Sequence, residues 1–248
     1  MKRNILGIKI DSLTFDEAIE KIDSLIVANK PSQVVTVNPE MVMAAQKDEE
    51  FRRLINQADL VVPDGFGIML AAKFLGKPLR ERITGVDLTW AIGKLAEDRG
   101  YSVFFLGAKA GVAKVTAERF KKLHPRLKIA GSYAGSPDDQ NTLAILKRTK
   151  PDILLVAFGA PKQEKFIYNL IHNVSNFEFR ISNFPRLSVG VGGTFDYIAG
   201  VYPYPPEWLR KLGLEWLFRL ITQPWRWQRI MTATIKFPWA VLRSKLNL

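Results

Sequence analysis

As far as Gly200, short apolar and β-branched runs recur, each followed by a turn containing Gly or Pro and then by residues at helical spacing. The first run is Gln33 to Val37, followed by Asn38-Pro39-Glu40 and a helical Met41 to Gln46. The second is Leu60 to Val62, followed by Pro63-Asp64-Gly65-Phe66-Gly67 and Ile68 to Phe74. The third is Val103 to Leu106, with Gly107 to Gly111 as its turn and a helix through Val112, Val115 and Phe120. Asp152 to Phe158 ends in Gly159-Ala160-Pro161, and Leu187 to Val191 ends in Gly192-Gly193-Thr194. Strand–turn–helix units in succession need crossover connections, so the pattern predicts an α/β fold, a mostly parallel sheet covered by helices on both faces. Ligands of such sheets sit at the carboxyl ends of the strands, where turns offer free N–H groups and helix N-termini favour anions. The chemistry is therefore expected in these turns.

Beyond Gly200 the pattern changes. Residues 200–248 hold eight Lys/Arg against Glu207 and Glu215, half of the chain's net charge of +12, together with five of its six tryptophans. The boundary divides an α/β domain, 1–199, from a basic, Trp-rich helical appendage, 200–248. Pro224 and Pro238 are each placed to open a helix. Leu209, Leu212, Gly213, Trp216 and Leu220 form one apolar stripe with Arg210, Lys211 and Arg219 off it, while Arg226 and Arg229 share a face. Tryptophan with cations on short amphipathic helices suits the interface of an anionic membrane, with capping of the core by packed tryptophans as the alternative. The cations are interleaved with large apolar groups, which argues against nucleic acid as the partner. Exposed Trp and Leu away from lipid can also drive self-association into homo-oligomers.

No run approaches the length of a membrane-spanning helix, and the apolar stretch after Met1-Lys2-Arg3-Asn4 is too short for a signal peptide. The expectation is a cytoplasmic protein. With no cysteine, thiolate chemistry and Cys-metal sites are excluded. There is no D-x-D, and His124 and His172 lie far apart outside the turns, so no metal site and no Ser-His-Asp arrangement is expected.

Among the turns, Asp64 stands beside two glycines just past a strand, either as a base or as a cap for the next helix. Gly107 and Gly192-Gly193 suit close approach of a phosphate or sugar, or simple tight turns; neither completes a dinucleotide or P-loop fingerprint. After Gly159, Pro161 is placed to begin a helix that offers Lys162 for a phosphate and Gln163 for a hydroxyl or amide, or merely a solvated first turn. Thr36 and Asn38 are short polar groups in the same layer.

Taken in order, Thr36-Val-Asn38-Pro-Glu40, Pro63-Asp64-Gly65-Phe-Gly67, Arg80-Glu-Arg82-Ile-Thr-Gly85-Val-Asp87, Phe105-Leu-Gly107-Ala, Gly159-Ala-Pro-Lys162-Gln163-Glu164-Lys165, Gly190-Val-Gly192-Gly-Thr-Phe195-Asp196 and Gly213-Leu-Glu215-Trp216-Leu-Phe-Arg219 resemble the WecG/TagA/CpsF family of bacterial glycosyltransferases. The resemblance implies a Rossmann-like domain whose appendage docks on the membrane and completes the active site. It implies transfer of an N-acetylhexosamine, with inversion and without metal or cofactor, from a UDP-sugar to the 4-hydroxyl of GlcNAc on a polyprenol diphosphate. In the teichoic-acid branch that sugar is N-acetylmannosamine. Asp64 would be the general base, Thr36 and Gln163 would contact substrate, and Arg82 would lie by the site. Arg219, Arg226 and Arg229 would reach a diphosphate of donor or carrier. Two stretches depart from the family pattern: Tyr202-Pro-Tyr204-Pro-Pro206 replaces a basic segment, and the link from Asn173 to Arg186 is longer than usual.

Overall fold

The computed structural model describes residues 1–172 and 185–246. The long link, with Phe177, Phe179 and Phe184, falls almost wholly outside them. The chain opens with a hairpin, β1 (Lys2–Ile5) and β2 (Ile8–Asp11), and then α1 (Phe15–Val27). There follow β3 (Ser32–Val37), α2 (Pro39–Ala45), α3 (Glu49–Gln57), β4 (Leu60–Pro63), α4 (Phe66–Phe74) and α5 (Gly85–Arg99). The second half of the core comprises β5 (Ser102–Gly107), α6 (Val112–Leu123), β6 (Lys128–Tyr133), α7 (Gln140–Thr149), β7 (Ile153–Ala157), α8 (Lys162–His172), β8 (Leu187–Gly190) and α9 (Thr194–Ile198). All five predicted strand–helix units are present. The main sheet has six strands in the order β4-β3-β8-β7-β5-β6, every pairing parallel. The hairpin lies beside β4, where Asp11 Oδ2 accepts the Val61 N–H at 3.0 Å.

Period-two alternation assigns the strand residues to two layers. Val34, Val62, Phe105, Leu155 and Val189 pack with Ile22 of α1, Ile92 of α5, Phe120 of α6 and Phe195 of α9. Their neighbours point the other way: Val35, Val37 and Val61 meet α2, α3 and α4, and Phe104, Leu106, Leu154 and Val156 meet α7 and α8. Burial on both faces is why the strands read as continuous apolar runs.

The tail contains α10 (Glu207–Lys211), α11 (Glu215–Thr222), a 3₁₀ turn at Pro224–Arg226, α12 (Trp227–Met231), a π turn at Thr232–Lys236 and α13 (Phe237–Leu246). The predicted apolar stripe is not one helix. Gly213, at φ +71°, separates α10 from α11, and an added Cβ there would lie 2.4 Å from the Phe66 ring of α4. Pro224 opens the 3₁₀ turn, whereas Pro238 is the second residue of α13. Among the tail's described large apolar side chains only Ile230, Phe237 and Val241 are buried, the last two in the layer of α2 and α4. The tail tryptophans do not pack as a cap: Trp208, Trp216, Trp225, Trp227 and Trp239 are 39–62% exposed. Trp90, in the core, stacks on Phe120 at 4.3 Å. Among the described residues no helix is long and apolar enough to cross a membrane.

Candidate active site

A cavity of about 240 Å³ lies over the carboxyl ends of β3, β4, β7 and β8, with the tail as its far wall. Asp64 ends the β4 turn, its N–H donating to Val37 O at 2.7 Å. It does not cap the helix that follows; Gly65 occupies that position, at φ +125°, where an added Cβ would press on Pro39 Cδ at 3.2 Å. Instead Asp64 Oδ2 accepts the Gly85 N–H at 3.3 Å, at the start of α5, whose cap is Thr84. A methyl group on Gly85 would stand 3.3 Å from Thr194 Oγ1, 3.5 Å from Asp64 Oδ2 and 3.7 Å from Thr36 Oγ1, so these oxygens converge on one small space. Burial raises the Asp64 pKa from 3.8 to about 6; Glu215 adds to the rise, while Arg219, the Gly85 N–H and Arg82 oppose it. Near neutral pH this carboxylate is ionised and poorly solvated, a suitable state for taking a proton.

Thr36 Oγ1 donates to Gly190 O at 3.2 Å. Asn38 caps α2, its Oδ1 accepting from Met41 N at 3.0 Å, and its side chain also lines the cavity. Gln163 Oε1 accepts both the Gly159 and the Gly192 N–H at 3.0 Å, tying the turns after β7 and β8 together. Its Nε2 donates to Glu164 Oε1 at 2.8 Å. Glu164 is fully buried, and burial raises its pKa to about 7 despite that hydrogen bond. Gly190 has no Cβ for this reason: one would fall 2.7 Å from Gln163 Nε2 and 2.9 Å from Glu164 Oε1.

The tail supplies the cations. Arg219, Arg226 and Arg229 all line the cavity. Arg229 Nε pairs with Glu40 at 2.5 Å, whereas among the described residues neither Arg219 nor Arg226 has a carboxylate at ion-pair distance. Burial works against the charge on Arg219, but Tyr197, Asp64 and Glu215 outweigh it and raise its pKa. For Arg226, burial and then Arg229 and Arg219 lower the pKa. Crowded guanidinium groups without matching carboxylates form a site for an anion.

Three expected residues stand apart from the cavity wall. Lys162 is exposed at the first position of α8, while the next residue, Gln163, is turned inward. Gly107, at φ +98°, gives space to Phe158 and the Ala157 backbone, and Ala108 takes the place at the wall. Arg82 sits behind the site, its Nη1 2.8 Å from Glu215 Oε1, a charge contact outside hydrogen-bond alignment. Gly159, Gly192 and Gly193 do line it, and an added Cβ on Gly193 would lie 3.5 Å from Arg226 Nη2.

A sequence model of the Glycosyl transferase WecG/TagA/CpsF family matches residues 3–248. The chain belongs to this family. It is 34% identical over 98% of its length to a Bacillus subtilis (strain 168) protein, N-acetylglucosaminyldiphosphoundecaprenol N-acetyl-beta-D-mannosaminyltransferase, covering 91% of that protein. Proteins of the same name from Bacillus spizizenii and Staphylococcus aureus (strain NCTC 8325) are 36% and 32% identical over 88% and 92% of the chain, which covers 81% and 87% of theirs.

The cavity of this glycosyltransferase is also lined by residues that pattern reading leaves aside. Glu40, Asp196, Tyr197, Tyr204 and Glu215 line the cavity, and Asp196 Oδ1 is buried without a partner. Tyr204, from the stretch that departs from the family pattern, forms a wall with its ring edge-on to Tyr197 at 5.5 Å and Arg210 over its face at 4.8 Å. Glu215 comes from the basic tail, where a charge count hides it. Among the described residues no three of His, Asp and Glu are placed to hold a metal ion together.

Proposed function

We propose that the enzyme transfers N-acetylmannosamine from its UDP ester to the 4-hydroxyl of GlcNAc on a polyprenol diphosphate, with inversion and without a metal ion. The observation that carries this reading is Asp64, a carboxylate raised to about 6, facing the same cavity as Arg219, Arg226 and Arg229. The names of the relatives support the acceptor and the transferred sugar.

In this mechanism Asp64 accepts the proton of the acceptor hydroxyl as its oxygen bonds to the anomeric carbon. The bond from that carbon to the UDP oxygen breaks, and the pair of electrons leaves with UDP. The arginines neutralise the charge gathering on the leaving diphosphate, as a divalent cation does in other enzymes. Attack opposite the leaving group inverts the anomeric centre. Gln163 holds the Gly159 and Gly192 turns at the cavity wall, and Thr36 offers its hydroxyl beside Asp64. The exposed tryptophans and the tail cations suit a peripheral position on an anionic membrane, on the cytoplasmic face where the nucleotide sugar is available.

The test is UDP release by the full-length protein with a polyprenol-diphospho-GlcNAc acceptor, in EDTA, with several UDP-sugars, for wild type and Asp64→Asn. Acceptor-dependent release with UDP-N-acetylmannosamine that the substitution abolishes is the expected result. The absence of release with every donor tried, in the presence of lipid, would leave a nucleotide-binding protein of the same fold.

A further inference from the structure

Against the polar cavity lies a second, more apolar one of about 390 Å³, between α4 and the tail. The two share Asp64, Glu215 and Arg219. From there the second runs outward past Phe66, Leu70, Trp216, Ala233, Thr234 and Pro238. Leu70 and Trp216 are 53% and 39% exposed, so its outer end is open.

The wall has a specific cause. Pro238 has no N–H for the carbonyl of Thr234, and its ring crowds that turn of helix. The chain widens there into the π turn Thr232–Lys236, and Thr234 Oγ1 donates back to Ile230 O at 2.8 Å. Such turns within α-helices often mark functional sites. On the opposite wall Phe66 is held over Gly213, where any side chain would collide with it. The groove is thus set between two backbone irregularities.

A ligand that fills it must have parts in a fixed order: a group that reacts at Asp64, an anion within reach of Arg219, whose buried Nε lacks a partner, and an apolar chain along Phe66 and Pro238. A nucleotide sugar has no apolar end and matches the polar chamber alone. A sugar on a prenyl diphosphate has all three parts in that order. We propose that the groove between α4 and the π turn holds the first isoprenoid units of the acceptor, so that donor and acceptor reach Asp64 from different chambers. This rests on the polyprenol-diphosphate acceptor proposed above.

The test uses the full-length protein in mixed micelles with two acceptors, GlcNAc-diphosphate on undecaprenol and the same head group capped by a methyl ester. Ala233→Trp, which fills the groove from the π turn, should raise the prenyl-to-methyl ratio of KM values by about tenfold, the worth of one or two buried methylenes. UDP affinity, measured by calorimetry, reports that the variant is folded. Should Ala233→Trp fail to bind UDP, Leu70→Ala at the open end tests the same wall and should raise the ratio about threefold. An unchanged ratio, or equal KM changes for both acceptors, overturns the groove alone. Wild-type protein that binds UDP yet transfers to neither acceptor overturns the acceptor reading and the groove with it.

Discussion

Asp64 must be ionised to take a proton, so kcat/KM should climb with pH through about 6 and level off above it, and a profile flat from pH 5 to 8 would remove Asp64 as the base. The same burial has a thermodynamic sign. Between pH of about 4 and 6 the unfolded chain has released a proton that folded Asp64 retains, so stability falls as pH rises across that window. Asp64→Asn should therefore lose at least about a hundredfold in kcat yet unfold at higher temperature than wild type at pH 7.5, by as much as about 3 kcal/mol. The difference should close near pH 4, where wild-type Asp64 is neutral; thermal melts at the two values check it. Glu164 acts one step back from the cavity. Its Oε1 fixes the Gln163 amide so that the opposite oxygen can take the Gly159 and Gly192 N–H groups. A neutral amide of the same shape can still accept that bond, so Glu164→Gln should keep kcat within a few-fold, while Glu164→Ala should lower kcat/KM by about tenfold or more. Equal losses in the two variants, or none in either, would contradict a positioning role.

Which elements could be read from the chain follows from what determines them. Strands such as Gln33 to Val37 announce themselves because both faces are buried, and the turns after them show in Asn38-Pro39 or Gly192-Gly193 because local backbone geometry selects those residues. Asp64 was legible as a candidate for the same reason, though the choice between base and cap depended on Gly85, distant in sequence. Glu164 and Glu215 gave no such signal, since nothing local marks a charged side chain that tertiary packing will bury. The break at Gly213 belongs to that second kind, fixed by a ring on another helix. Gly76 offers a control, with the same φ of +71° and open space around its Cα. Gly76→Ala should cost about 1 kcal/mol from the backbone alone. Gly213→Ala should cost more, and hydrogen exchange should show the excess as faster exchange in α10 and α11. Equal costs at both positions would mean that Phe66 yields and does not set the break.

At the scale of the whole molecule, the question is how far the tail belongs to the core. Its charged side chains cross to it in both directions: Arg210 to Asp87 at 3.4 Å, Arg229 to Glu40 at 2.5 Å, and Glu215 to Arg82 at 2.8 Å. Glu40, Glu215 and Arg229 of these pairs line the cavity, so its wall is built jointly from both parts of the chain. Stability is divided differently. Among the described residues, the layer over α1, α5, α6 and α9 and the layer under α7 and α8 contain no buried residue of the tail, and α2 and α4 receive only Phe237 and Val241 from it. Losing two such side chains removes about 3–6 kcal/mol of apolar burial from one face, less than a domain's whole core supplies. A chain ending at Ala199 should therefore fold, with native far-ultraviolet circular dichroism and a lowered melting temperature. It should bind UDP weakly and transfer nothing, because Arg219, Arg226, Arg229 and Glu215 are gone. The uncovered face of Val42 and Ile68 should make it self-associate on gel filtration, while anionic vesicles should sediment the full-length protein and not the truncated one. Vesicle binding that survives truncation would move the membrane contact to the core, and a chain that fails to fold would make Phe237 and Val241 part of the folding nucleus.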